Sequence, residues 1–510
     1  MNDKLEQLKT LLAVAHDLEM AAFVLDWDQE THMPPGGAPA RAGQVATLKR
    51  LAHEYYTVPQ VGRLLEELNV NGATAAYDSD EASIVRYTAR QYELKRRVPA
   101  GLVAEIAHAR TTGEAAWESA RAASDFAALR PHLERMFDLK RRWAECFQPA
   151  ELYDPLLDYY EPGMKTGEVR AIFAELKASL LPLVQAIGEK SDVVDDACLY
   201  REYDEQRQWN FGLEVIRRFG FDFTRGRQDY SAHPFSTSFS PDDVRQTTRV
   251  TRDFFNTGLF STMHEAGHSM YEQCVSPSLA RSWLDSGASL GLHESQSRLW
   301  ENLVGRGRGF WQYFFPHLQA TFPEQLADQD AERFYRAVNK VRPSSIRVEA
   351  DEVTYNLHIM LRFELEQELL AGAVDFADLP ELWNARMNQY LGVTPANDAE
   401  GVLQDIHWPG GLIGYFPTYT LGNVLSAQIF EQACREIPAI PAQIAAGEFG
   451  PLLAWLREKI YRHGRKFTPG ELIQRAIGGP LNAGPYLRYL WGKYQALYGL
   501  EASKTLPIDD

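Results

Sequence analysis

The sequence predicts a mainly α-helical fold with one small antiparallel sheet. Three observations carry this. Apolar residues recur at steps of three and four through most of the chain, beginning with Leu5, Leu8, Leu11, Leu12, Ala15, Leu18, Ala22 and Leu25. Strand-like alternation is confined to about residues 219–252. The length of 510 residues, 45% of them hydrophobic, suffices for a large core. One or two domains are expected at this size, as two helical lobes around a groove.

In chain order, residues 4–30 read as a helix, and Met33 to Pro39, with three prolines and two glycines, break it. Helical patterns resume over 41–57 and 59–68, so about residues 1–80 form a helical cover. Residues 79–147 read as long amphipathic helices, 153–163 as an aromatic and acidic loop, and 166–187 and 203–218 as further helices. The strand signals fall at 221–224, 235–239 and 243–250, separated by Gly, Pro and Asp. Helix returns after 257, with loops expected at 275–290, 341–348, 394–422 and 478–486.

The chemistry concentrates at His264-Glu265-Ala266-Gly267-His268. On a helix, residues four apart share a face, so His264 and His268 can reach one metal ion. Glu265 is offset from both and can reach a metal-activated water as general base. Phe260, Met263, Gly267, Met270 and Cys274 mark an apolar helix face around the motif, and Pro277 ends the run. A catalytic metal of this kind takes three protein ligands and keeps an open position. Glu294, on a second helix after a loop containing Pro277, Gly287 and Gly291, is the expected third ligand, with the adjacent His293 competing. Two imidazoles and a carboxylate suit one zinc per chain, and cobalt or manganese fit the same donors. The metal-binding helices span about 257–302.

Composition narrows the function classes. A net charge of −17 leaves no basic footprint for nucleic acid or an anionic membrane surface. The N-terminal residues lack the order of a signal peptide, and no apolar run of about eighteen residues suggests a membrane span. Cys146, Cys198, Cys274 and Cys434 are scattered without a Cys-x-x-Cys pair, which fits a reduced, cytoplasmic setting.

Further motifs stand in order: His233-Pro234-Phe235, Asp243-x-Arg245-x-Thr247, the His-Glu-x-x-His run, His293-Glu294-Ser295-Gln296, Ile346-Arg347-x-x-Ala350-Asp351, and Gly401-x-x-Gln404-Asp405-x-His407-Trp408. With these six the chain resembles the carboxypeptidase Taq family of zinc metallocarboxypeptidases, from Leu25-Asp26-Trp27-Asp28 to Tyr486–Leu490. The resemblance implies a single metallocarboxypeptidase domain over 1–510, a neurolysin-like helical fold with a deep groove, and a homodimer. It implies release of single C-terminal residues with broad specificity. Thermolysin-like enzymes carry Asp four residues after the third ligand; here that place is Arg298, so support for the ligands must come from elsewhere, with Asp285 and Glu301 as candidates.

Roles follow from chemistry and resemblance together. His407 and Tyr419 are the candidate donors to the tetrahedral oxyanion. Arg245 and Arg347 are the candidates for gripping a free α-carboxylate with two parallel hydrogen bonds. The resemblance places His233 and the Arg245 motif near a blind end of the groove, as substrate-binding residues. Two competing readings remain: a metal-dependent oligopeptidase cutting internal bonds of short peptides, and a non-catalytic helical binding protein.

Overall fold

The computed structural model describes residues 2–71 and 76–501. It is mainly α-helical with one three-stranded sheet, as the periodicity predicts. The chain divides into two compact units. Unit 1 comprises Met1–Arg96, Asp196–Val338 and Ile429–Pro480; unit 2 comprises Arg97–Asp195, Asn339–Gln428 and Leu481–Asp510.

Unit 1 begins with the helix Asn2–Thr31, which packs along Ala38–Thr57. Leu5, Leu8, Leu12 and Ala15 are its buried stripe, and they join Tyr56, Val61, Leu64, Leu65 and Leu68 in one apolar cluster. Val275, Leu279 and Leu284 belong to the same cluster, so the N-terminal helices cover the loop between the two candidate ligand helices. Polar contacts finish this cover: His16 Nε2 lies 3.1 Å from Asp285 Oδ1, and Arg281 donates to Asp17. Asp285 therefore serves the cover, not the candidate ligands.

The sheet departs from expectation. Its strands are β1 (Gly226–Tyr230), β2 (Ser236–Ser240) and β3 (Asp243–Thr248), ordered β1-β3-β2. β2 pairs antiparallel with β3, but β1 runs parallel to it, so the sheet is mixed and not antiparallel. Residues 221–224, expected as a strand, form no strand. There the Asp222 carboxylate takes the Thr224 amide and hydroxyl, a local turn that competes with strand pairing. Val244, Gln246 and Thr248 face the helix Phe255–Gln273: Gln246 donates to the Thr262 carbonyl and Thr248 to that of Gly258. The helix Glu205–Phe219, capped by Asp204 and ended by Gly220 at φ 115°, packs on the same helix.

Unit 2 is built around Tyr355–Ala371, buried nearly all round, as befits a core helix. Phe126–Glu145, Thr166–Gly188 and Leu379–Leu391 pack on it. Thr166–Gly188 is long and apolar enough to cross a membrane; it buries Val169, Phe173, Leu176, Leu180, Leu183 and Ile187. The expected loop at 153–163 is a helix over Tyr153–Tyr160. Pro155 falls in its first turn, where no backbone N–H is needed, so it does not break the helix.

Candidate metal centre

The His-Glu-x-x-His run sits mid-way along Phe255–Gln273, which ends at Cys274 before Pro277, so its hydrogen bonds hold both histidines from either side. The second helix, Leu290–Arg298, is capped by Ser289, whose hydroxyl accepts from the Leu292 amide at 3.1 Å. It continues as a π-helix over Leu299–Gly305. The two helices touch at Gly267. A Cβ there would lie 2.5 Å from the Gln296 carbonyl oxygen and 2.6 Å from Ser297 Cα, so only glycine allows this approach.

That contact brings Glu294 to both imidazoles. Glu294 Oε2 lies 3.5 Å from His264 Nε2 and 3.4 Å from His268 Nε2. Donors about 2.0–2.1 Å from one tetrahedral ion stand roughly 3.4 Å apart, so the three fit a single metal ion. Two neutral imidazoles and an ionised carboxylate are donors of the right charge for a divalent ion. Glu294 is the only acid among the three donors that converge here within 4.8 Å among the described residues. Burial works against its charge, but Arg298 and the two histidines hold its carboxyl well below the usual range.

Each candidate ligand is backed. Arg298 Nε donates to Glu294 Oε1 at 2.7 Å, and the Ser297 hydroxyl donates to Oε2 at 2.9 Å. His264 Nδ1 lies 2.9 Å from Glu301 Oε2, and Arg298 bridges to that same oxygen at 3.3 Å. Arg298 thus stands where thermolysin-like enzymes carry Asp, and the π turn presents Glu301 to His264. His268 Nδ1 lies 2.7 Å from His293 Nδ1, whose Nε2 is 2.6 Å from Glu272 Oε1. His293, the competing ligand, is therefore behind His268. Glu272 was not singled out by the sequence, although its position four after His268 places it on the same face.

Glu265 is buried, and among the described residues no donor bonds its carboxylate. Burial and the neighbouring Glu294 and Glu301 push it up to about 7, against the pull of His264. Arg245 lies on the other face of the sheet from the metal helix. It donates twice to Asp243 at 2.9 Å, with its guanidinium 4.3 Å from the Trp27 ring and 4.9 Å from Phe239. His233 is exposed in the turn between β1 and β2.

The remaining candidates gather in unit 2. His407 Nε2 lies 3.2 Å from the Tyr419 hydroxyl. The helix holding Tyr419 begins at Pro417, inside the stretch expected as loop. Arg347 is buried, donates to Asp405 at 2.8 Å and to the Tyr355 hydroxyl at 2.9 Å, and lies 5.1 Å from the Tyr419 ring. Arg362, also buried, donates to Asp405 from the core helix at 2.8 Å. Glu366 on that helix accepts from Trp408 Nε1 at 2.7 Å and the Gly414 amide at 3.0 Å, which pins the loop carrying His407. Neither Arg362 nor Glu366 was read from the sequence, because nothing in their spacing sets them apart from the other polar residues of their helix, such as Asn356, Glu364 and Glu368.

A family model described as carboxypeptidase Taq (M32) metallopeptidase matches residues 7–494. The chain belongs to that family. Thermostable carboxypeptidase 1 of Thermus thermophilus is 45% identical over 485 residues, 93% of this chain and 94% of that protein. Carboxypeptidase 1 of Bacillus subtilis is 37% identical over 489 residues, 96% of this chain and 97% of that protein. The crystal structure of an M32 carboxypeptidase from Deinococcus radiodurans superposes with a TM-score of 0.95 at 43% identity, covering 98% of this chain and 100% of that one. This M32 protein is a metal-dependent carboxypeptidase, a hydrolase acting on peptides. The resemblance carried by the six motifs is confirmed, and a non-catalytic binding role is set aside.

Proposed function

We propose that this M32 carboxypeptidase holds one zinc ion per chain through His264, His268 and Glu294, and releases single C-terminal residues with Glu265 as general base. The observation that carries the reading is the convergence of both Nε2 atoms on Glu294 Oε2 at 3.5 and 3.4 Å. Cobalt or manganese would be held by the same atoms. Bound there, the ion supplies a Lewis acid and lowers the pKa of water. Glu265, on the helix between the two histidines, accepts the nucleophile's proton and returns it to the leaving amine. His407 and Tyr419 stabilise the oxyanion: an imidazole N–H and a phenol are the donors that charge requires.

Recognition of a free α-carboxylate falls to Arg347, with Arg245 and His233 as further substrate contacts. The supporting observation is a charge imbalance: two buried guanidiniums, Arg347 and Arg362, share one carboxylate, Asp405. The excess positive charge favours an anionic group nearby. Arg245 has no such excess, being matched by Asp243. The proposed substrates are thus peptides with a free C-terminus. A homodimer in the cytoplasm, with no nucleic-acid or membrane partner, completes the reading; the four free cysteines suit a reducing compartment.

The test compares matched peptides with free and amidated C-termini, for the native chain and for Glu265→Gln. Amidation should abolish cleavage. Glu265→Gln should lower turnover by at least about a thousandfold while keeping its metal, because it removes the base and leaves the ligands. Equal cleavage of both peptides would instead establish an oligopeptidase. Near-normal turnover in the variant would remove Glu265 from its role.

A further inference from the structure

The two candidate histidine ligands are backed differently. His264 meets a carboxylate directly, that of Glu301. His268 meets a second imidazole, His293, and reaches a carboxylate only through it, at Glu272. The His293 ring is fixed on several sides. Tyr271 lies 5.1 Å away at 36° to it, and a Cβ at Gly287 would stand 2.6 Å from His293 Cδ2. Glu272 is fixed as well: the Ser286 hydroxyl and the Gly287 amide donate to the oxygen that meets His293, at 2.8 and 3.2 Å. These contacts link the metal helix, the loop after it and the ligand helix.

The proton positions follow from the geometry. His268 turns Nε2 to Glu294 and the metal position, so its proton must sit on Nδ1. That N–H can only donate to His293 Nδ1, which must then be the acceptor. The His293 proton is left on Nε2, where it donates to Glu272. We infer that Glu272 and His293 form a positioning chain that selects the His268 tautomer and aims its Nε2 at the metal. Neither residue touches the ion or the substrate. The inference rests on the proposed ligand set.

The test is metal binding, measured by competition with a chelator and by the visible spectrum of the cobalt-substituted protein. His293→Leu should weaken the metal about ten- to a hundredfold and change the cobalt spectrum. Glu272→Leu should do the same. Combining the two should add little, since they interrupt one chain. His293→Gln, whose amide can accept from His268 and donate to Glu272, should recover most of the affinity; a purely space-filling role would not distinguish Gln from Leu in this way. If the leucine variants do not fold, His293→Asn replaces them, because its shorter amide cannot span both partners. Native affinity and spectrum in whichever variant folds would overturn the inference and leave the ligand set standing. A native protein that binds no stoichiometric metal would overturn both.

Discussion

His407 is neutral at physiological pH because of where it sits. Burial pushes its imidazole down to about 4, and Arg347 and Arg362 add to that while Asp405 opposes them. A neutral ring can share a hydrogen bond with Tyr419 without bringing a second net charge into the Arg347–Asp405–Arg362 cluster. The unfolded chain protonates this residue near pH 6.5, the folded chain only near 4. Its contribution to stability is therefore complete above 6.5 and is lost as pH falls from 6.5 to about 4, by about 3 kcal/mol. Denaturant titrations across that range should show the native chain losing about this much more stability than His407→Leu. Parallel curves would contradict the assignment. At this scale the sequence was legible where spacing alone determines geometry: His264, Glu265 and His268 lie on one continuous helix. Their supporting residues were legible only in part: Glu301 is a candidate from the sequence and meets His264, whereas Glu272 reaches His268 only through His293 on the next helix, and Arg298 is marked by nothing beyond its place one turn after Glu294. Arg245 shows the converse. Its motif is clear in the chain, yet its guanidinium lies against Trp27, on the sheet face away from the metal helix.

Elements place the candidate ligands, and their two helices meet in close contact at Gly267. Gly267→Ala puts a methyl group against backbone atoms of Gln296 and Ser297, which cannot rotate aside. The ligand helix must move out and take Glu294 with it. The expected cost is about 2 kcal/mol of stability, with metal binding weakened about tenfold or more, as for loss of a ligand's support. Calorimetry with a chelator titration would measure both, and native metal affinity would contradict the account. The helices were largely legible because periodicity reports the buried face directly. The helix at Tyr153–Tyr160 was obscured by Pro155, although Tyr153, Leu156, Leu157 and Tyr160 carry the helical spacing. Strand direction was not legible. Alternation fixes which face a residue occupies and says nothing of which neighbour it pairs with or in what sense. The π-helix was hidden too, since one widened turn barely disturbs a 3.6-residue pattern.

Over the whole molecule, the six motifs stand in order between His233 and Trp408, which is why the family was legible from sequence. Their grouping was not. The first four motifs belong to unit 1 and the last two to unit 2, and each unit is assembled from three separated segments. Cα proximity across such distances comes from folding and leaves no periodic trace. In the proposed site one divalent ion is shared by His264, His268 and Glu294. Anomalous diffraction at the zinc edge from crystals of the metal-loaded protein tests it most directly. One peak per chain is expected, about 2.0–2.2 Å from His264 Nε2, His268 Nε2 and a Glu294 oxygen. A peak coordinated by other side chains, or no peak at those three in fully loaded protein, would contradict it.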